Sequence, residues 1–311
     1  MNNIICIAGP TASGKTALAV QLAKAYNGEV VSCDSMQIYK DMDIGTAKPT
    51  VEEMEGIPHH MLSVAAPQED FSVSRYCEMA TPIVDDIIGR GKTAIIAGGT
   101  GLYMDALIRG NAFAPYPSTG MREKLEQQAD LAGMESMLSL LKTIDPDSAA
   151  RLHVKDRKRI LRALEVYYET GETITQHNLK TQKIPPRYNP IWFALEDENR
   201  QDLYERIDKR VDLMLNAGLI EEIKSLLARG IPKKCTAMQA IGYKEFVDFL
   251  DGNCTVQEAA DLVNQASRHY AKRQLTWFRR NPSIHWLTRK KGQTTDEILL
   301  ITRQILEDSD N

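Results

Sequence analysis

Short apolar runs rich in β-branched residues recur at 4–8, 29–33, 61–64, 93–97 and 191–195. Between most of them the apolar positions return every three or four residues, which predicts helices. That alternation is the pattern of a parallel sheet covered on both faces, so the expected fold class is α/β. The stretch 73–89 has helical periodicity with Ser72 as its N-cap, and it delivers the chain to a strand over 93–97. That strand runs into Gly98-Gly99-Thr100-Gly101.

After about Gly110 the alternation stops. Residues 117–182 hold no convincing strand but several helical stretches, the clearest over 156–170, with Asp156 near its start and Gly171 just past its end. Pro185-Pro186 and Pro190 punctuate the return to the strand at 191–195. The chain is therefore expected to divide into a first core segment at 1–112, an inserted all-helical domain at 113–189 and a second core segment at 190–311. The last part is again mostly helical, over 200–217, 219–229, 255–278 and 295–307.

The sharpest motif follows the first strand. Gly9-Pro10-Thr11-Ala12-Ser13-Gly14-Lys15-Thr16 satisfies G-x-x-x-x-G-K-[ST] at every fixed position. In such a strand–loop–helix setting the glycines let the backbone wrap a phosphate. Successive N–H groups point at its oxygens, and the helix presents its positive end. Lys15 adds a point charge, and the Thr16 hydroxyl is placed to ligate Mg²⁺. All eight residues are thus expected to bind a diphosphate or longer.

Nucleotide hydrolases and kinases of this kind normally carry a later apolar strand that ends in Asp. Here the strand at 93–97 ends in glycines and Thr100 instead. The best carboxylate at the sheet edge is Asp34, which can cap the next segment, help hold Mg²⁺ through water, or act as a base. Ligands of parallel sheets sit beyond the carboxyl ends of the strands, so the phosphate loop, Asp34 and Thr100 are expected in one crevice.

Composition narrows the partners. The 311 residues are 43% apolar and 26% charged, which is ordinary for a globular protein, and no apolar run reaches membrane-spanning length. A strand beginning at Ile4 leaves no room for a signal peptide, and Cys6, Cys33, Cys77, Cys235 and Cys254 form no C-x-x-C pair. Reduced thiols in the cytoplasm are expected. The net charge of −4 argues against a nucleic-acid partner until its distribution is considered. Arg151, Lys155, Arg157, Lys158, Arg159 and Arg162 are accompanied by one acid, Asp156. From Arg268 to Lys291 there are eight basic residues and no acid, with Tyr270, Trp277, Phe278 and Trp286 interleaved. These stretches form a candidate phosphate-binding track, with solvated helix faces as the alternative. His59 and His60 have no metal-ligand spacing and are read as structural.

Eight blocks, in order, resemble the tRNA dimethylallyltransferase (tRNA isopentenyltransferase) family. They are the phosphate loop, Asp34-Ser35-Met36-Gln37-Ile38-Tyr39, Asp43-Ile44-Gly45-Thr46-Ala47-Lys48-Pro49 and Ile57-Pro58-His59-His60. Then follow Gly98-Gly99-Thr100-Gly101-Leu102-Tyr103, the run from Asp156 to Val166, Gln239-Ala240-Ile241-Gly242-Tyr243-Lys244-Glu245, and the run from Tyr270 to Arg279. The bacterial form is the one matched, because the scattered cysteines could not build the zinc finger of eukaryotic relatives.

The resemblance implies a P-loop NTPase-like (nucleotide-kinase-like) core whose helical insertion contacts the anticodon loop. It implies transfer of a dimethylallyl group from dimethylallyl diphosphate to N6 of the adenosine at tRNA position 37. Asp34 would be the base, Thr100 would orient the amine or bridge to the diphosphate, Lys15 and Arg210 would hold the leaving diphosphate, and Thr16 would hold Mg²⁺. Asp34, Ser35, Met36 and Gln37 would line the channel of the extruded base. Lys158, Arg159, Ile160, Leu161 and Arg162 would meet the tRNA from the insertion. Gln239, Tyr243, Lys244, Lys272, Arg273, Trp277 and Arg279 would meet it from the core. Arg206 lies one helical turn before Arg210, and a solvated face is the plainer reading for it. A monomer is the family expectation. A small-molecule kinase using ATP, or a non-catalytic RNA-binding regulator, are the alternatives.

Overall fold

A computed structural model describes residues 4–110, 119–182 and 184–309. Six strands form one sheet: β1 (Ile4–Ala8), β2 (Gly28–Ser32), β3 (His59–His60), β4 (Thr93–Gly98), β5 (Ile191–Asp197) and β6 (Ile284–Arg289). Their order is β3-β2-β4-β1-β5-β6, and every neighbouring pair is parallel. Parallel pairing needs crossover helices, and these cover both faces, which is why the inner strands read as unbroken apolar runs. On one face Ile5, Ile7, Val30, Ile95, Phe193 and Leu195 pack with Leu18 and Leu22 of the Lys15–Ala25 helix and Ile298 and Leu306 of the Thr295–Ser309 helix. On β2 the Ser32 carbonyl accepts the Tyr76 hydroxyl from the Val73–Gly89 helix. Ser72 caps that helix by accepting the Arg75 N–H at 3.2 Å.

Two strands depart from the sequence reading. The run at 61–64 is not a strand; pairing ends at His60, because Met61 and Ser63 turn into left-handed backbone with φ of 63° and 53°. Conversely, β6 was not anticipated. It is an edge strand that buries Ile284 and Leu287 and exposes His285 and Thr288, inside a stretch dominated by its cations.

The chain separates into two compact units, residues 1–110 with 187–311, and residues 111–186. The second contains the helices Met121–Ala132, Met134–Ile144, Arg157–Thr170 and Ile174–Gln182, and no strand among its described residues. Its own core gathers Leu125, Met137, Leu141, Ile160, Leu161 and Leu164. Buried Asp145 ties it together, with Oδ1 accepting the Ser148 N–H at 3.0 Å and the Thr175 hydroxyl at 2.7 Å.

Candidate active site

The carboxyl ends of β1, β2, β4, β5 and β6 carry the site. β1 hands over to the loop Gly9–Gly14, whose backbone is left-handed at Gly14 (φ 87°) and, without a glycine, at Ala12 (φ 62°). The surroundings hold Ala12 there, its methyl buried with Leu203, Ile207 and Ala271. Lys15 Nζ folds back to donate to the Pro10 carbonyl at 2.6 Å. The Ser13 hydroxyl is buried with no hydrogen-bond partner, an orphan facing into the loop's own turn. One expectation needs amending: not every loop amide is left for a phosphate. Thr11 N–H donates to Gln274 and Ser13 N–H to the Pro10 carbonyl, so these two are engaged within the fold, while the amides opening the Lys15–Ala25 helix face an anion's position.

Cations crowd this loop. Arg206 is not on a solvated face: its Nε donates to the Ala12 carbonyl at 2.9 Å, and its Nη2 pairs with buried Asp197 at 2.5 Å. Arg210 Nη1 stands 3.5 Å from the Thr11 hydroxyl. Arg289, at the end of β6, lies against Gly14, where a Cβ would come within 2.9 Å of Nη2; its own Nε is buried and without a partner. Desolvation pulls the Lys15 pKa down to about 7, Arg210 adding to the effect and Asp34 opposing it. Desolvation also lowers Arg210 and Arg289, and Arg206 repels both. Clustered cations that depress one another call for a polyanion.

The neighbouring side is built on Asp34 and Thr100. Asp34 Oδ1 accepts the N–H groups of Met36 (2.8 Å) and Gln37 (3.3 Å), an Asx turn of the kind its capping role anticipates. Thr100 Oγ1 accepts the Ser35 N–H at 3.0 Å, and its own N–H donates to the Cys33 carbonyl at 3.2 Å. A Cβ at Gly98 would lie 2.0 Å from that carbonyl oxygen, so the two loops close only because residue 98 is glycine. Gln37 turns inward, its amide nitrogen donating to the Ala47 carbonyl at 3.0 Å.

The Val256–Phe278 helix packs behind both loops. Gln274 reaches Thr11 and Gly99, Tyr270 lies beside Thr100, and Trp277 Nε1 donates to Asp105 at 2.9 Å with its ring against Gly101. Burial, with Asp34 nearby, pushes the Tyr270 hydroxyl up to about 12. Sequence reasoning missed Gln274, Arg289 and Asp105. Gln274 and Arg289 fell inside blocks read for their cations and aromatics.

Lys272, Arg273, Arg279, Gln239 and Lys244 are exposed, and Ser35 and Met36 partly so. Arg279 pairs with Glu196 at 3.0 Å and lies over the Trp286 ring. In the helical unit Lys158, Arg159 and Arg162 are exposed. Three expected RNA contacts need correction. Ile160 and Leu161 are fully buried in the helical core. Tyr243 is fully buried as well, its hydroxyl donating to Glu222 at 2.6 Å and its ring filling the space beside Gly45. Their side chains build the fold and present no surface. His60 pairs with Glu29 and His59 with the Ile57 carbonyl, as structural residues would.

No group of three or more His, Cys, Asp or Glu side chains among the described residues could hold a metal. What the site offers is the Thr16 hydroxyl, without a hydrogen-bond partner among the described residues, and the second oxygen of Asp34. That sparse oxygen set fits Mg²⁺, which keeps waters and takes substrate phosphate oxygens rather than a protein cage.

A phosphate loop on a parallel sheet, with Thr100 where a hydrolase strand would end in Asp, defines a P-loop α/β protein adapted to a phosphorylated ligand. The IPP transferase family model matches residues 37–281, more than half of the chain. Over 300 residues the chain is 45% identical to the tRNA dimethylallyltransferase of Acetivibrio thermocellus, covering 96% of each. Over 297 residues it is 46% identical to that of Caldanaerobacter subterraneus subsp. tengcongensis, covering 95% of this chain and 94% of the relative. Among solved structures, the full-length tRNA isopentenylpyrophosphate transferase of Bacillus halodurans superposes with a TM-score of 0.74 at 42% identity, covering 99% of this chain and 96% of that one. A eukaryotic dimethylallyltransferase acting on tRNA gives 0.85 at 30% identity, covering 99% and 80%. The chain belongs to the IPP transferase family, among the tRNA dimethylallyltransferases.

Proposed function

We propose that the protein transfers the dimethylallyl group of dimethylallyl diphosphate to N6 of adenosine 37 of tRNA, beside the anticodon. The observation that carries this reading is a cation-crowded phosphate loop tied through Gln274 to Gly99, and through Thr100 to Ser35, beside the carboxylate of Asp34. The allylic C–O bond breaks and its electron pair leaves with diphosphate, where Lys15, Arg210 and the helix-opening amides stabilise the growing charge. The N6 lone pair, delocalised into the purine, forms the new C–N bond as its proton passes to Asp34. Oδ1 is engaged by two amides, which leaves Oδ2 for that proton. Thr100, fixed through Ser35, orients the amine. Mg²⁺ on Thr16, when bound, supplies charge neutralisation at the diphosphate oxygens.

A stacked adenine cannot present N6, so the nucleotide is extruded past Ser35 and Met36. Lys272, Arg273, Trp277, Arg279, Gln239 and Lys244 hold the RNA on the core, and Lys158, Arg159 and Arg162 hold it on the helical unit. Among the described residues no helix is long and apolar enough to cross a membrane. The protein works as a monomer in the cytoplasm, where its RNA is. Thermal unfolding in Mg²⁺ tests the donor. Dimethylallyl diphosphate at about 100 times its Kd should stabilise by roughly 2.7 kcal/mol and equimolar ATP far less. Protection by ATP alone would contradict the assignment.

A further inference from the structure

Gln274 is a polar side chain, 5% exposed, on the inward face of the Val256–Phe278 helix. Both ends of its amide are used. Oε1 accepts the Thr11 N–H at 3.0 Å, and Nε2 donates to the Gly99 carbonyl at 3.0 Å. Thr11 belongs to the phosphate loop, and Gly99 immediately precedes Thr100. The partners fix the amide's orientation, because an N–H can face only oxygen and a carbonyl only the NH₂. A Cβ at residue 99 would lie 2.1 Å from Nε2, so the approach requires glycine there.

We propose that Gln274 is a positioning residue for the transfer: it joins the donor loop to the acceptor loop, so that the allylic carbon and the adenine nitrogen meet in register. This rests on the function proposed above. The two loops leave one backbone donor and one backbone acceptor facing a single point. Glutamine, with a carbonyl oxygen and an NH₂ on one planar amide, satisfies both at once. An apolar side chain would strand both groups, and a carboxylate would oppose the Gly99 carbonyl. Tyr270 and Trp277 share this face, at helical spacings of four and three residues, and bear on Thr100 and Gly101. The link therefore runs from a helix whose other faces expose Lys272 and Arg273.

The test is steady-state kinetics of Gln274→Met and Gln274→Glu between about pH 6 and pH 8, with dimethylallyl diphosphate and unmodified tRNA. Misregister of the order of 1 Å should lower kcat about 10²-fold in Gln274→Met, with the KM for tRNA little changed. Gln274→Glu should be similarly impaired at the upper pH and recover relative to wild type as pH falls, because the neutral acid regains an O–H donor for Gly99. A residue that served stability alone would not show that recovery. Wild-type kcat in Gln274→Met, or a pH-independent deficit in Gln274→Glu, overturns the proposal. Should the methionine variant not fold, the glutamate profile decides alone. Wild-type protein that transfers nothing would overturn the function and this role together, whereas active wild type with an unaffected variant overturns only this role.

Discussion

Thr100 holds the residue next to Asp34: its Oγ1 accepts the Ser35 N–H at 3.0 Å, and this bond joins the loop after β4 to the loop after β2. Asp34 is thereby presented on a turn made rigid from both ends, its own Oδ1 bonding Met36 and Gln37. Asparagine can keep that turn but cannot take a proton. Asp34→Asn is therefore expected to lose about 10²–10⁴-fold in kcat while binding tRNA normally, and Asp34→Ala to lose the turn as well. Retained turnover in Asp34→Asn would remove the general base.

Lys15 makes donor binding sensitive to pH. Its pKa is about 7 in the folded chain against 10.5 in an open one. A bound diphosphate restores the proton, so above pH 7 binding takes one up and affinity falls as pH rises. Calorimetry near pH 8 in two buffers of different ionisation enthalpy should show this uptake, and Lys15→Met should abolish it. For the free protein the sign is that of a depressed lysine. The stability cost is complete below pH 7 and is relieved as pH rises from 7 towards 10.5.

Arg289 lies against Gly14 with no acceptor for its Nε, beside Arg206, which has Asp197. Its charge acts on the donor through the loop. Arg289→Gln should raise the KM for dimethylallyl diphosphate about tenfold, less at high salt, with kcat nearly unchanged. An unchanged KM at low salt would assign Arg289 to packing.

Tyr243 tests the corrected view of the Gln239–Glu245 block. Glu222 accepts its hydroxyl together with the N–H groups of Asp43, Ile44 and Gly45. Tyr243→Phe should cost about 2 kcal/mol of stability, since the acceptor is charged, and leave the salt dependence of tRNA binding unaltered. Lys158, Arg159 and Arg162 should behave the opposite way, each alanine lowering the salt slope by roughly 0.7–0.9 at little cost in stability. A slope that ignores these three would place the RNA elsewhere.

The central sheet was legible because strands buried on both faces, such as Ile4–Ala8, must be apolar throughout, and the phosphate loop because its turns demand glycine. β6 was not, because this six-residue edge strand buries only Ile284 and Leu287, three residues apart, and so shows no period-two pattern. Burial was the other blind spot. Nothing in the motif around Tyr243 tells a ring that touches RNA from one that fills the space beside Gly45. Gln274 and Arg289 acquire meaning only from partners far away in the chain.

The most direct measurement is incubation of the protein with labelled dimethylallyl diphosphate, Mg²⁺ and unmodified tRNA, followed by nucleoside analysis. Label on N6 of the adenosine beside the anticodon, matched by released diphosphate and lost in Asp34→Asn, is the expected result. Diphosphate released with no labelled nucleoside, or label on another base, would contradict the account.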